Sequence, residues 1–210
     1  MGVRKSESRV FSPACGLCLT LRTDTKWCLF IPPTGITVDL LTKPFRKLCL
    51  RDSGGGDVAE ISTPIDFGDL LRSHKLAILI GVPGAFTPTC SQAHLPGYID
   101  HISELVEQKG VEDVYCMSVN DMYVMQAWGD ATPGCWDSGF IKLIADGNGD
   151  ATKAIGMGYD ETKSRMGSIR CKRFVAIIRN GKVDICNVDE DDLGDLHIHG
   201  VSVESILALL

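Results

Sequence analysis

Leu76-Ala77-Ile78-Leu79-Ile80-Gly81-Val82-Pro83-Gly84-Ala85-Phe86-Thr87-Pro88-Thr89-Cys90-Ser91 decides how the chain is read. Leu76 to Val82 is a continuous apolar run, long enough for a core strand and too short for a helix. Beyond Ser91, apolar residues recur at roughly helical spacing as far as Lys109. Cys90 therefore falls where a strand, ended by a Gly/Pro turn, gives way to a helix. Backbone N–H groups at a helix start lack intrahelical partners, and the helix dipole favours an anion there. A thiol is nucleophilic only as thiolate, and such a setting lowers its pKa from about 8.5 to about 3.5–7.5. Most free cysteines are small buried hydrophobes. The Pro, Gly and Thr spacing around Cys90 favours a reactive thiol instead.

Working outward, Leu48 to Leu50 and Ala59 to Ser62, separated by Ser53-Gly54-Gly55-Gly56, predict a hairpin, and Phe67 to Arg72 a short helix. Pro96-Gly97 is expected to split or kink the helix after Cys90. Val114 to Val119 and Ile141 to Ile144 read as further core strands. The Asn120/Asp121 region is expected to cap a helix to about Trp128, and Asp150 a short helix through Ile155. Phe174 to Ile178 and Val183 to Val188 flank Asn180-Gly181, the favoured turn of a β-hairpin. Ser202 to Leu210 closes the chain as an amphipathic helix. This order predicts an α/β domain over residues 43–210, a mixed sheet flanked by helices, with an extension at 1–42.

The net charge of −6 is unevenly spread. Residues up to Lys43 carry +3 and the remainder −9, which argues against a nucleic-acid surface. No apolar stretch approaches the ~18 residues that span a bilayer. The nine cysteines show no disulfide-framework spacing and read as reduced thiols. The basic N-terminal segment, with Pro13, Pro32 and Pro33, resembles an organellar leader, mitochondrial or other. Two alternatives stand beside it. Met1-Gly2-Val3-Arg4-Lys5-Ser6 fits an N-myristoylation pattern, with Cys15 and Cys18 as palmitoyl sites, on a cytoplasmic protein. The segment also reads as an unstructured extension without a targeting role. Cys15-Gly16-Leu17-Cys18 has no second ligand pair and is discounted as a zinc or redox motif.

Several other patterns carry less. Asp146-Gly147-Asn148-Gly149-Asp150 imitates a calcium loop, but Ala151 and Met157 stand where Gly and Glu are required, leaving a turn and helix cap. Asp189 to Asp192 reads as a solvated loop, and Gly156-Met157-Gly158 lacks a phosphate-loop context. His197-Ile198-His199 has no third ligand, so no metal or cofactor is expected. His94 shares a helical face with Cys90 and is expected to be structural, with a hydrogen bond near the pocket as the alternative.

The string Pro83-x-x-x-Thr87-x-x-Cys90 resembles the peroxiredoxin signature. Gly81-Val82-Pro83-Gly84-Ala85-Phe86-Thr87-Pro88-Thr89-Cys90-Ser91 is similar to its type II, or peroxiredoxin-5-like (atypical), subgroup. The likeness continues through His94-Leu95-Pro96-Gly97-Tyr98, Ser118-Val119-Asn120-Asp121, Val124, Trp128, Lys172-Arg173-Phe174 and Asn187-Val188, covering roughly Pro44 to Leu210. The resemblance implies a thioredoxin-like fold and a peroxidase for hydrogen peroxide and alkyl hydroperoxides. It makes Cys90 the peroxidatic cysteine, shielded by Pro83, with the Thr87 hydroxyl on thiolate and peroxide. Arg173 would hold the thiolate and polarise the O–O bond. A hydroxyl both donates and accepts, and an arginine offers a permanently charged fork of donors for developing oxyanion charge. Phe86 is expected to wall the pocket.

The resemblance also exposes a gap. Many members of the subgroup carry a resolving cysteine in the loop after the last hairpin strand, and alignment on Phe174, Asn187 and Gly194 puts His197 there. Cys116 in its strand, Cys135 in a loop, Cys186 mid-strand and Cys171 remain. An extended backbone would make Cys171 share a face with Arg173. The leading expectation is a one-cysteine cycle reduced by glutathione with glutaredoxin; thioredoxin with an internal resolver is the alternative. A peroxide sensor or relay and a chaperone-like role are rival classes. The resemblance further implies a homodimer paired beside the site.

Overall fold

The computed structural model describes residues 48–50, 63–167, 169–189, 198 and 200–210. Expectations for residues 1–47, for Ala59 to Ser62, for Glu190 to Asp192, and for His197 and His199 lie outside them. Leu48–Leu50 (β1) pairs antiparallel with Thr63–Ile65 (β2), so the partner strand lies just beyond the expected stretch. Phe67–Arg72 (α1) begins on Asp66, whose carboxylate accepts from the Asp69 N–H at 2.9 Å. Leu76–Gly81 (β3) is buried along its whole length, as a strand covered on both faces must be.

After β3 comes a helical run built of unlike turns: a π turn at Cys90–His94, then Leu95–Asp100 (α2), then a π turn at Glu104–Gln108. Pro96-Gly97 was expected to split or kink the helix, and the run changes type just before it. Leu95 N–H reaches back five residues to the Cys90 carbonyl, and Pro96 sits in the first turn of α2, where its missing donor costs little. Asp113–Ser118 (β4), Met122–Ala131 (α3), Ile141–Ala145 (β5) and Asp150–Ala154 (α4) follow. Asp121 caps α3 by accepting from the Tyr123 and Val124 N–H groups. Asp150 does not cap α4. Gly149 occupies that position in the left-handed region (φ 69°), and the buried Asp146 carboxylate accepts from Ala151 N–H at 3.2 Å and Thr152 N–H at 2.8 Å.

Gly158–Asp160 (β6) and Ile169–Cys171 (β7) form a separate two-stranded sheet that the sequence pattern did not announce; it begins in the Gly156-Met157-Gly158 stretch set aside above. Arg173–Arg179 (β8) and Lys182–Asp189 (β9) make the expected hairpin, with Asn180 and Gly181 at φ 49° and 72° as a type I′ turn requires. Val203–Leu207 (α5), capped by Ser202, ends the chain.

The main sheet runs β2-β1-β5-β4-β3-β8-β9, with β3, β4 and β5 parallel and the outer pairs antiparallel. Alternation along β3, β4 and β8 splits the core in two. Ile78, Ile80, Val114, Cys116, Val175 and Ile177 face Leu95, Tyr98, Trp128 and Ile206 of the helices on one side. Ala77, Leu79, Tyr115, Met117, Phe174 and Ala176 face Leu71 of α1 and Ala151 of α4 on the other. The result is a three-layer α/β/α sandwich, each fully buried large side chain contributing about 1.5–3 kcal/mol. One contact places the site directly. A Cβ on Gly81 would stand 2.1 Å from the Phe174 ring, so glycine here lets β8 close against the end of β3.

Candidate active site

The end of β3 and the start of the helical run set the cysteine. Val82 N–H donates to Met117 O at 3.0 Å, extending the pairing with β4 by one residue before the chain turns. Thr87 N–H and hydroxyl both donate to Gly84 O, at 3.3 and 2.8 Å, and Ser91 N–H donates to Thr87 O at 3.0 Å. The helical turn therefore starts at Thr87, and Cys90 lies in the first turn, among amides without intrahelical acceptors. Asn120 secures the loop from the neighbouring strand end: its Oδ1 accepts from Ala85 N–H at 3.0 Å and from the Ser118 hydroxyl at 2.7 Å. Trp128 Nε1–H donates to the Ser91 hydroxyl at 2.9 Å, pinning the residue after the cysteine.

Arg173, the first residue of β8, sends Nη1 to the Cys90 sulfur at 3.5 Å, although 83 residues separate them. Both side chains are buried. The same Nη1 lies 3.3 Å from His94 Nδ1. Because a guanidinium only donates, that ring nitrogen must be the unprotonated one. His94 Nε2 then carries the proton and donates to Val201 O at 3.2 Å, a carbonyl that also accepts from the Tyr98 hydroxyl at 2.9 Å. Burial, with Arg173 adding to it, lowers the His94 pKa to about 3, so the ring is neutral and serves to position Arg173. Of the two readings the sequence left for His94, a structural role and a hydrogen bond near the pocket, the structure favours the second, with the arginine as partner.

Of the expected residues, Arg173 is the one whose side chain reaches the Cys90 sulfur among the described hydrogen bonds. Pro83 is buried beside Gly84. The Thr87 hydroxyl is spent as a donor on Gly84, which leaves its lone pairs to accept. Phe86 is not the packed residue that was expected: it is 55 % exposed, at φ 62°. Cys171 does not share Arg173's face. It ends β7, pairs with Gly158 and packs in the α1/α4-side cluster, because Lys172 separates two strands of different sheets. Burial pushes the Cys116 and Cys171 thiols well above their ordinary range, and the Cys186 thiol up to about 11. Among the described residues no cluster of three or more His, Cys, Asp or Glu could hold a metal.

The redoxin family model matches residues 52–197. Peroxiredoxin-2C of Arabidopsis thaliana is 44% identical over 119 residues, 57% of this chain and 70% of that protein. Peroxiredoxin-2E-2, chloroplastic, of Oryza sativa subsp. japonica is 42% identical over 121 residues, 57% of this chain and 52% of that one. Among solved structures, reduced Prx3 of Vibrio vulnificus in complex with hydrogen peroxide superposes with TM-score 0.63 at 36% identity, covering 77% of this chain and 93% of that one. The 1-Cys peroxiredoxin antioxidant protein of Plasmodium falciparum superposes with TM-score 0.64 at 28% identity, covering 77% and 92%. A buried thiol under an arginine on this sheet, with these relatives, defines a thiol peroxidase of thioredoxin-like fold. The chain belongs to the redoxin family, as an atypical peroxiredoxin.

Proposed function

We propose that Cys90 is the peroxidatic cysteine of a one-cysteine cycle whose reductant is glutathione with glutaredoxin. The observation that carries this reading is Arg173 Nη1 at 3.5 Å from the buried Cys90 sulfur. The thiolate attacks the terminal oxygen of ROOH; an S–O bond forms as the O–O bond breaks, giving Cys90–SOH and RO⁻, which takes a proton to leave as ROH. Sulfur is oxidised by two electrons and the peroxide reduced by two. Arg173 donates to sulfur before attack and to the departing oxygen during it, where a preorganised donor is worth most. Thr87, its own hydroxyl proton given to Gly84 O, accepts a hydrogen bond from the hydroperoxide O–H, which stays on the transferred oxygen, and so orients the line of attack. Pro83 keeps water from the sulfur. A glutathione thiol then condenses with the sulfenic acid, releasing water and leaving a mixed disulfide. A second thiol, through glutaredoxin, releases Cys90 and takes the oxidation away as disulfide.

The reductant rests on His197 in place of the resolving cysteine and on the burial of Cys116, Cys135, Cys171 and Cys186. The chain's structural likeness to the Plasmodium 1-Cys protein supports the same cycle. A coupled NADPH assay decides it. Turnover should be faster with glutathione–glutaredoxin than with thioredoxin, and absent in Cys90→Ser; activity surviving that substitution would exclude thiol chemistry. Two further proposals accompany the cycle. The exposed Phe86 ring, four residues before Cys90, docks a second copy, so Phe86→Asp should lower the mass found by light scattering from dimer to monomer. Residues 1–42 act as an organellar leader, a reading supported by the chloroplastic relative. A reporter fused to them should leave the cytoplasm, and a cytoplasmic reporter would end that proposal.

A further inference from the structure

The two-stranded β6–β7 sheet is the element that the chemistry at Cys90 does not use, yet one of its side chains, Arg170, stands beside the loop that carries Gly84 and Thr87. Tyr159 and Arg170 are directly opposite one another across the β6–β7 pair, so both project from the same face. Gly84 shows where that face lies. A Cβ built on it would meet Thr87 Cγ2 at 3.2 Å, Met166 Cε at 3.5 Å and Arg170 Nη1 at 3.6 Å. Arg170 is thus a neighbour of Thr87, and Met166 an apolar flank between them.

Arg170 is held for use. Its Nε donates to Met166 O at 2.6 Å and its Nη1 to Val119 O at 2.9 Å, which fixes the guanidinium plane. No hydrogen bond engages Nη2 among the described residues, and no carboxylate there forms an ion pair with Arg170. Tyr159 is half-buried and its hydroxyl is likewise without a described partner. Burial, then Glu161, Cys171 and Cys90, push its pKa up to about 12, so it stays a donor, in electrostatic reach of Cys90 and Arg173. The nearby Glu161 carboxylate is turned onto the Ser164 hydroxyl of its own loop. A rigid cation and a protonated phenol on one face, beside a methionine, match a carboxylate on an alkyl stem.

We propose that Arg170 and Tyr159 form a carboxylate-binding subsite that draws a carboxylate-bearing reactant to Cys90. Two reactants have that chemistry: a fatty-acid hydroperoxide in the oxidative half-reaction, and glutathione in the reductive one. The inference rests on Cys90 being the peroxidatic thiol.

The test compares acids with their esters, so that any general loss of activity cancels. Stopped-flow rates of Cys90 oxidation are measured with linoleic acid hydroperoxide and its methyl ester. Rates of reduction of preformed Cys90 sulfenic acid are measured with glutathione and its diethyl ester. A chain of net charge −6 would by itself disfavour the acids. The expected result is an acid-to-ester ratio of about ten in at least one half-reaction, falling towards one in both Arg170→Gln and Tyr159→Phe. A high ratio in the oxidative arm identifies the hydroperoxide as ligand; one in the reductive arm identifies the thiol. Tyr159→Phe removes one hydroxyl and keeps the assay informative if Arg170→Gln loosens the loops it ties. Wild-type ratios at or below one in both arms, or a high ratio that both variants retain, overturn the subsite. Failure of the wild type to react with hydrogen peroxide at Cys90 would instead overturn the peroxidase reading.

Discussion

At Arg173 one nitrogen is shared between a sulfur and a neutral imidazole, and the chemistry depends on that sharing. Arg173→Gln keeps a donor but loses the charge, and should lower the second-order rate with hydrogen peroxide by about 10²–10³, the cost of removing a preorganised oxyanion donor; a loss under threefold would remove Arg173 from the reacting atoms. His94 gives a pH signature. Its pKa falls from 6.5 to about 3 on folding, so between those values the unfolded chain binds the extra proton. The stability contributed by the neutral ring is complete above pH 6.5 and is lost as pH falls towards 3. By pH 5 the loss relative to pH 7 is about 2 kcal/mol. His94→Gln can still accept from Arg173 and donate to Val201, yet does not titrate. Urea unfolding at both pH values should show the wild type losing about 2 kcal/mol more than the variant; equal losses would contradict a neutral buried His94. The sequence could show that His94 shares a face with Cys90, but not that Arg173, 79 residues on, would meet both. A polar side chain on an apolar helical face was the one available signal.

Among the elements, those whose backbone needs are met locally were legible and those settled by distant partners were not. The Asn180-Gly181 turn, the Asp121 cap and the apolar β3 follow from adjacent residues. The π turn at Cys90–His94 does not, because nothing in the string from Cys90 to His94 marks a five-residue return ahead of Pro96. The β6–β7 pair escaped for a similar reason: three-residue strands of mixed polarity have no period to read. Cys171 was assigned to Arg173's face by an alternation that Lys172 interrupts. The cap of α4 shows the same limit on a small scale. Asp150 has the right type and place for a cap, whereas Asp146 reaches over the turn to do the work with both oxygens. Asp146→Ala leaves two buried N–H groups without acceptors and should cost about 1–3 kcal/mol in denaturant unfolding. Asp150→Ala, at an exposed first-turn position, should stay within about 0.5 kcal/mol. A larger loss at Asp150 than at Asp146 would reverse the assignment.

At the scale of the whole molecule, the sheet decides which thiols Cys90 can meet. Cys116 and Cys135 lie in the same core cluster as Cys90, and Cys171 and Cys186 lie in the cluster on the opposite side of the sheet. A disulfide from Cys90 to Cys186 would have to pass through the sheet, where β8 is paired with β3 and β9 on its two sides. Cys171 lies beyond the end of the β3–β8 pairing, within electrostatic reach of Cys90, but is fully buried in the opposite cluster. Cys116 is on the accessible side of that barrier but belongs to β4, paired with Ile80 on one side and Leu143 on the other, so reaching the sulfur would mean tearing a central strand. The proposed one-cysteine cycle instead requires the π turn carrying Cys90 to open and present the sulfur to a soluble thiol. Peroxide-treated protein, alkylated and mapped by mass spectrometry, should therefore carry sulfenic acid on Cys90 and, once glutathione is added, one glutathione on that residue. Cys116→Ser and Cys171→Ser should leave both species and the turnover rate unaltered. A stoichiometric Cys90–Cys116 disulfide would mean that the core opens more readily than the turn, and would move the enzyme from the one-cysteine cycle to one resolved within the chain.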